Sequence, residues 1–218
     1  MTVLKFRSLF LLVVALFIIL MSPVTEGSNF GVRISLGALW IILVGVGGSF
    51  IASTRRWWKF FGIAILGALI AFTFQGLYPE SPIAKVAGIT AVALINFLTL
   101  IVILRFSLLN ATAYPIDRVL AAICGYLILG KLWTAFYGIA LVCDPDAIIQ
   151  FSGGAVGAVD LLYFSLVTLS TLGYGDLVAQ NDFVRILAAL EAVAGVFYSA
   201  VLIAALVAEL RIQSAKED

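Results

Sequence analysis

The sequence predicts an all-α membrane protein with six transmembrane helices and one shorter re-entrant helix, and three observations carry that expectation. Apolar residues make up 63% of the chain and charged residues 11%, against about half and about a quarter in soluble domains. Six apolar runs approach the ~20 residues that a helix needs to cross a bilayer core. A further, shorter apolar run ends on Thr171-Leu172-Gly173-Tyr174-Gly175-Asp176, where glycine punctuates every second position.

The runs follow one another at 8–24, 34–53, 60–78, 86–104, 117–142 and 184–210. The first also has the basic start, apolar centre and small residues near Gly27 of a secretory signal peptide; retention as a span is the expectation. Arg55, Arg56 and Lys59 are expected to close the second, with Trp57 and Trp58 as a headgroup anchor. The run 158–170 is too short to cross, and irregular backbone after it is tolerable only if protein encloses it. The chain divides into a four-helix N-terminal region, 1–110, and a second module, 111–218.

Charge orients the spans. If they alternate, Lys5, Arg7, Arg55, Arg56, Lys59, Arg105, Arg118, Arg211 and Lys216 fall on one side. Arg33, Lys85 and Arg185 fall on the other, but with Glu26, Glu80, Asp144, Asp146, Asp176 and Asp182. The positive-inside rule then makes both termini cytoplasmic, in a plasma or inner cell membrane.

The same composition excludes several functions. A net charge of +1 without a long basic run argues against nucleic acid. Histidine is absent and Cys124 and Cys143 are the only cysteines, so a zinc or haem site has few ligands to draw on. Placed on one helix, those cysteines are separated by roughly 28 Å and cannot pair. The spans hold no cluster of acids, bases or metal ligands, so neither an enzyme nor a cofactor is expected, nor a small-molecule substrate. Lys131 and Glu191 do lie inside predicted spans, and intramembrane charge is costly unless paired or wetted. Their estimated depths differ by roughly 10 Å, so they meet only if the lysine extends upward.

The glycine spacing has a chemical meaning. Holding a bare cation without trapping it takes neutral oxygens at close spacing, which backbone carbonyls supply. An ordinary strand points alternate carbonyls to opposite sides. Aligning them requires left-handed backbone at every second residue, which glycine adopts at little steric cost. Gly173 and Gly175 sit at that alternation. The inward ligands would be the carbonyls of Thr171, Leu172, Gly173 and Tyr174, with the Thr171 hydroxyl below them and Tyr174 pointing outward as a strut. The same four letters, Gly-Tyr-Gly-Asp, could form a turn between helices, but the longer string and its helical flanks favour the ion cage.

Here the chain resembles the pore-domain potassium channels, in which an outer helix, a re-entrant pore helix, a T-x-G-Y-G-D filter and an inner helix follow in this order. The resemblance covers about Tyr114 to Glu209 and is nearest to compact bacterial channels. It implies a C4 homotetramer in a lipid bilayer, with potassium as the permeant ion. By residue, it implies filter support from Tyr163 and Phe164 behind the filter and from Thr168 and Ser170 just before it. Phe164 cannot donate the hydrogen bond that an indole makes in the family. Val167 cannot make the acid pair with Asp176 that some members have. Asp160 is read as a helix-start residue. Gly195 falls where the family has a gating hinge, Ser199 and Ala200 would face the cavity, and Ile203 and Val207 would form an inner constriction. The first four spans match a voltage sensor in number but not in charge, since 86–104 holds no charged residue. A weakly selective monovalent cation channel and an accessory membrane subunit are the alternatives.

Overall fold

The computed structural model describes residues 55–109, 114–151 and 153–217, together with Val13, Ala15 and Leu16, which are helical. The rest of the expected first two spans lies outside the described residues. Five helices and two short strands follow in order: α1 (Arg55–Leu77), α2 (Pro82–Leu109), α3 (Pro115–Cys143), β1 (Ile148–Gln150), α4 (Ala158–Leu169), β2 (Leu177–Ala179) and α5 (Asp182–Glu217). Among the described residues, four helices are long and apolar enough to cross a membrane, within Lys59–Leu77, Pro82–Leu109, Ile116–Cys143 and Asp182–Leu202. Large apolar side chains such as Ile63, Ile83, Ile116 and Phe183 lie exposed along them, as suits a solvent of lipid chains. The protein is a multi-pass membrane protein.

Local chemistry sets the helix ends. Pro82 and Pro115 each open a helix, where the missing N–H has no intrahelical partner to lose. The Nε of Arg118 donates to the Ser107 carbonyl at 2.8 Å, tying the start of α3 to the end of α2. Asn181 caps α5 by accepting the Val184 N–H at 2.9 Å, and its amide donates to Asp144 just past α3 at 2.8 Å. Asp144 is therefore a joint between two helix ends. One difference from expectation lies at α1, whose first turns include Arg55, Arg56 and Lys59. The third span was expected to start at residue 60, but nothing in the backbone preference of these cations keeps them out of a helix.

Helix α2 packs between α1 and α3, while α4 packs against both α3 and α5. One core cluster joins Phe61, Leu100, Ile103, Cys124 and Ile128 with Ala15. A second gathers Tyr137, Ile148, Leu161, Phe164, Leu177 and Val184, and so holds α3, α4, α5 and both strands together. Both cysteines lie on α3 and are free.

Two three-residue strands accompany the helices. β1 and β2 pair antiparallel, Ile148 with Ala179, Ile149 with Val178 and Gln150 with Leu177. Three residues carry too little alternation to register as a strand in sequence. The pairing fastens the segment after Asp176 to the segment after α3: the Phe151 N–H donates to the Asp176 carbonyl at 3.1 Å.

Candidate functional site

The site is the stretch that leaves the C-terminal end of α4. At the other end of this helix the Asp160 carboxylate accepts the Gly157 N–H at 2.8 Å, which satisfies a donor that the helix itself cannot serve. At the C-terminal end the chain reverses. The Thr171 N–H donates to the Thr168 carbonyl at 2.9 Å, while the N–H groups of Leu172 and Gly173 converge on the Val167 carbonyl at 2.9 and 3.4 Å. In a planar trans peptide the N–H and C=O point opposite ways. The carbonyls of Thr171 and Leu172 are thus turned away from α4.

The backbone alternates as well. φ is +58° at Thr171, +57° at Gly173 and +78° at Gly175, so left-handed conformation recurs at every second residue. Glycine accounts for two of the three. Thr171 was not expected to join them, because a residue with a β carbon gives up roughly 1–2 kcal/mol there. Every residue from Ser170 to Asp176 is exposed in the single chain.

Side chains hold this strand from behind. Tyr174 stacks on Tyr163 with ring centroids 6.5 Å apart and planes within 7°, and Tyr163 also makes a side-chain hydrogen bond to Asp176. Phe164, by contrast, points into the core and meets Tyr137 edge-on at 5.0 Å. Of the two aromatics read as supports, only Tyr163 meets the strand 171–176 within one chain. The Ser170 hydroxyl donates back to the Leu166 carbonyl at 2.7 Å, and Thr168 is partly buried.

Helix α5 runs behind the end of α4. A β carbon added at Gly195 would collide with the Leu169 carbonyl oxygen, so the two helices touch backbone to backbone here. The same oxygen accepts the Tyr126 hydroxyl of α3 at 3.0 Å. Further along α5, Tyr198 donates to the Ala122 carbonyl at 2.7 Å and Ser199 to the Gly195 carbonyl at 3.1 Å, while Ala200 is exposed. The side chains of Ile203 and Val207 lie outside what is described.

Glu191 is fully buried, one helical turn before Gly195. Its carboxyl accepts the Tyr137 hydroxyl at 2.5 Å and lies 2.5 Å from the Ser165 hydroxyl, which is also 2.7 Å from the Gly130 carbonyl. The reading from sequence considered only Lys131 as a neighbour for this acid; it missed both hydroxyls. Lys131 is partly buried beside Gly130 on α3. Of the acids expected on the side opposite the basic cluster, Asp144 is engaged by Asn181, and Asp182 pairs with Arg185 at 3.5 Å on an exposed surface, where such pairs contribute little.

A family model described as an ion channel matches residues 122–211. Two-pore potassium channel 1 of Arabidopsis thaliana is 44% identical over 72 residues, which is 33% of this chain and 17% of that protein. The chain thus matches less than a fifth of the relative's length. No solved structure gives a significant match. Residues 122–211, which hold most of α3, all of α4, the strand 171–176 and most of α5, are thus similar to an ion-channel family, and a 72-residue stretch of the chain is similar to a two-pore potassium channel.

Proposed function

We propose that this protein is a potassium-selective channel that conducts the ion passively through Thr171-Leu172-Gly173-Tyr174-Gly175-Asp176. The observation that carries the reading is the pairing of left-handed backbone at alternate residues with N–H groups drawn back onto Val167. Together they leave carbonyl oxygens free on one side of an exposed strand. One strand cannot surround an ion, so four copies around an axis supply the cage that replaces the hydration shell. Apolar residues left exposed along α5, among them Phe183, Ile186, Leu190, Val193 and Phe197, support such an assembly because a neighbouring copy would cover part of that face.

In this arrangement each chain has six spans and cytoplasmic termini in a plasma or inner membrane. Residues 1–110 form a collar, and 111–218 form the pore. The C-terminal end of α4 directs its negative dipole end toward the cavity below the filter, which favours a cation there. Asp176 sits at the outer mouth and concentrates cations. Any bending of α5 at Gly195 would move the carbonyl of Leu169, so hinge and filter share one contact. Ser199 and Ala200 would line the cavity, with Ile203 and Val207 as the inner constriction. No cofactor is required, since potassium is cargo.

Purified protein in liposomes tests the reading. Potassium efflux that drives measurable uptake of a counter-cation, with sodium unable to replace potassium, is the expected result. Equal sodium and potassium fluxes would leave a nonselective cation channel, and no flux of either would leave an accessory subunit.

A further inference from the structure

Behind the filter, three helices meet at a buried set of polar groups that ion conduction does not itself require. Glu191 of α5 lies between Tyr137 of α3 and Ser165 of α4, and all three are buried. We propose that Glu191 is a positioning residue for the filter, clamping the pore helix through Ser165 to Tyr137 and Gly130 of the outer helix. This rests on the channel reading above.

The clamp reaches the filter by a short path. Ser165 lies two residues before Val167, whose carbonyl holds the N–H groups of Leu172 and Gly173. A shift or rotation of α4 at Ser165 therefore moves the oxygen that orients the peptide planes. One turn beyond Glu191, Gly195 abuts Leu169, and Tyr126 also fixes the Leu169 carbonyl. Glu191 thus joins the inner helix to the pore helix on the side away from the ion.

Proton counting defines what the clamp needs. Three short contacts run in series: Tyr137 to one carboxyl oxygen at 2.5 Å, the other carboxyl oxygen to Ser165 at 2.5 Å, and Ser165 to the Gly130 carbonyl at 2.7 Å. The two hydroxyls supply two protons. A carboxylic acid proton on Glu191 completes the set, with Tyr137 donating to the acid, the acid to Ser165 and Ser165 to Gly130. Glutamine reproduces this pattern, because its carbonyl accepts from Tyr137 and its amide donates to Ser165. Leucine fills a similar volume and makes neither bond of the carboxyl, stranding the Tyr137 hydroxyl in a buried site and leaving Ser165 only its bond to Gly130.

The test is single-channel recording of the full-length protein in bilayers, where only assembled channels are counted. Wild type, Glu191→Gln, Glu191→Leu, Ser165→Ala and Tyr137→Phe are compared for the potassium-to-sodium permeability ratio. Glutamine is expected to keep the ratio within about twofold of wild type, and leucine to lower it about tenfold or more, as the loss of two buried hydrogen bonds implies. Should Glu191→Leu fail to assemble, Ser165→Ala, which removes only one oxygen, is expected to lower the ratio by itself. An unchanged ratio in Glu191→Leu or in Ser165→Ala, or a glutamine variant as damaged as the leucine one, overturns the proposal. A wild-type protein without potassium preference overturns the channel reading itself.

Discussion

The carbonyl oxygen of Leu169 lies against Gly195, so closely that no β carbon fits between α4 and α5. A glycine inside a helix costs roughly 1 kcal/mol relative to alanine, and here that cost admits a backbone contact at the C-terminal end of α4. Gly195→Ala should force the helices apart, destabilise the protein by about 1–3 kcal/mol as overpacking does, and reduce potassium flux. Thermal unfolding in detergent alongside liposome flux checks this. A variant equal to wild type in both would mean that the helices can separate freely.

Gly173 and Gly175 hold φ at +57° and +78°. An alanine at either position pays roughly 1–2 kcal/mol per chain to stay left-handed, and relieves that strain by turning its peptide. The expected outcome is loss of potassium preference before loss of assembly. Ion-flux ratios and the fraction of assembled protein on a sizing column separate the two effects, and preserved selectivity in both variants would argue against aligned carbonyls.

Tyr163 meets the filter twice, through its stack on Tyr174 and its hydrogen bond to Asp176. Tyr163→Phe keeps the ring and removes the hydroxyl. Currents through this variant should decline faster during sustained conduction while single-channel conductance stays near normal. A decline as slow as in wild type would assign the outer filter's support elsewhere.

Asp176→Asn should lower single-channel conductance in dilute potassium and restore it in concentrated salt, because the attraction of an exposed carboxylate for cations is screened over a Debye length of ~10 Å at 0.1 M. Equal conductance at every salt concentration would remove Asp176 from ion recruitment.

Between Lys85 and Arg105 helix α2 holds no charged residue, and its buried polar groups there are Asn96 and Thr99. Each charge that crosses the field contributes about 2.3 kcal/mol per 100 mV, so a helix without such charges cannot drive steep gating. The conductance–voltage relation should be shallow. A curve that requires several gating charges per chain would show a sensor elsewhere.

Much of this was legible in the residues. Apolar length located the four described membrane-length helices, because a membrane-crossing helix has few other ways to satisfy its backbone, although α5 continues to Glu217, past the expected end at 210. Asp160 read as a helix-start residue because an acid there meets free N–H groups. Glycines at every second position announced the left-handed backbone at Gly173 and Gly175. Thr171 joined them unannounced, since its conformation is imposed by hydrogen bonds from the turn to Thr168 and Val167 and not by its own preference. The β1–β2 pair was illegible because its partners lie far apart in sequence and each is short. Glu191 was visible as a buried acid, yet its partners were not. Tyr137 and Ser165 are 54 and 26 residues away, and only the packing of three helices brings them to one point.

The central claim is that main-chain oxygens of this filter take the place of water around potassium and not around sodium. Single-channel recording with potassium on one side of a bilayer and sodium on the other tests it most directly. The account predicts a reversal potential displaced far toward the potassium equilibrium potential. Reversal near zero, with both ions carrying current equally, would contradict it.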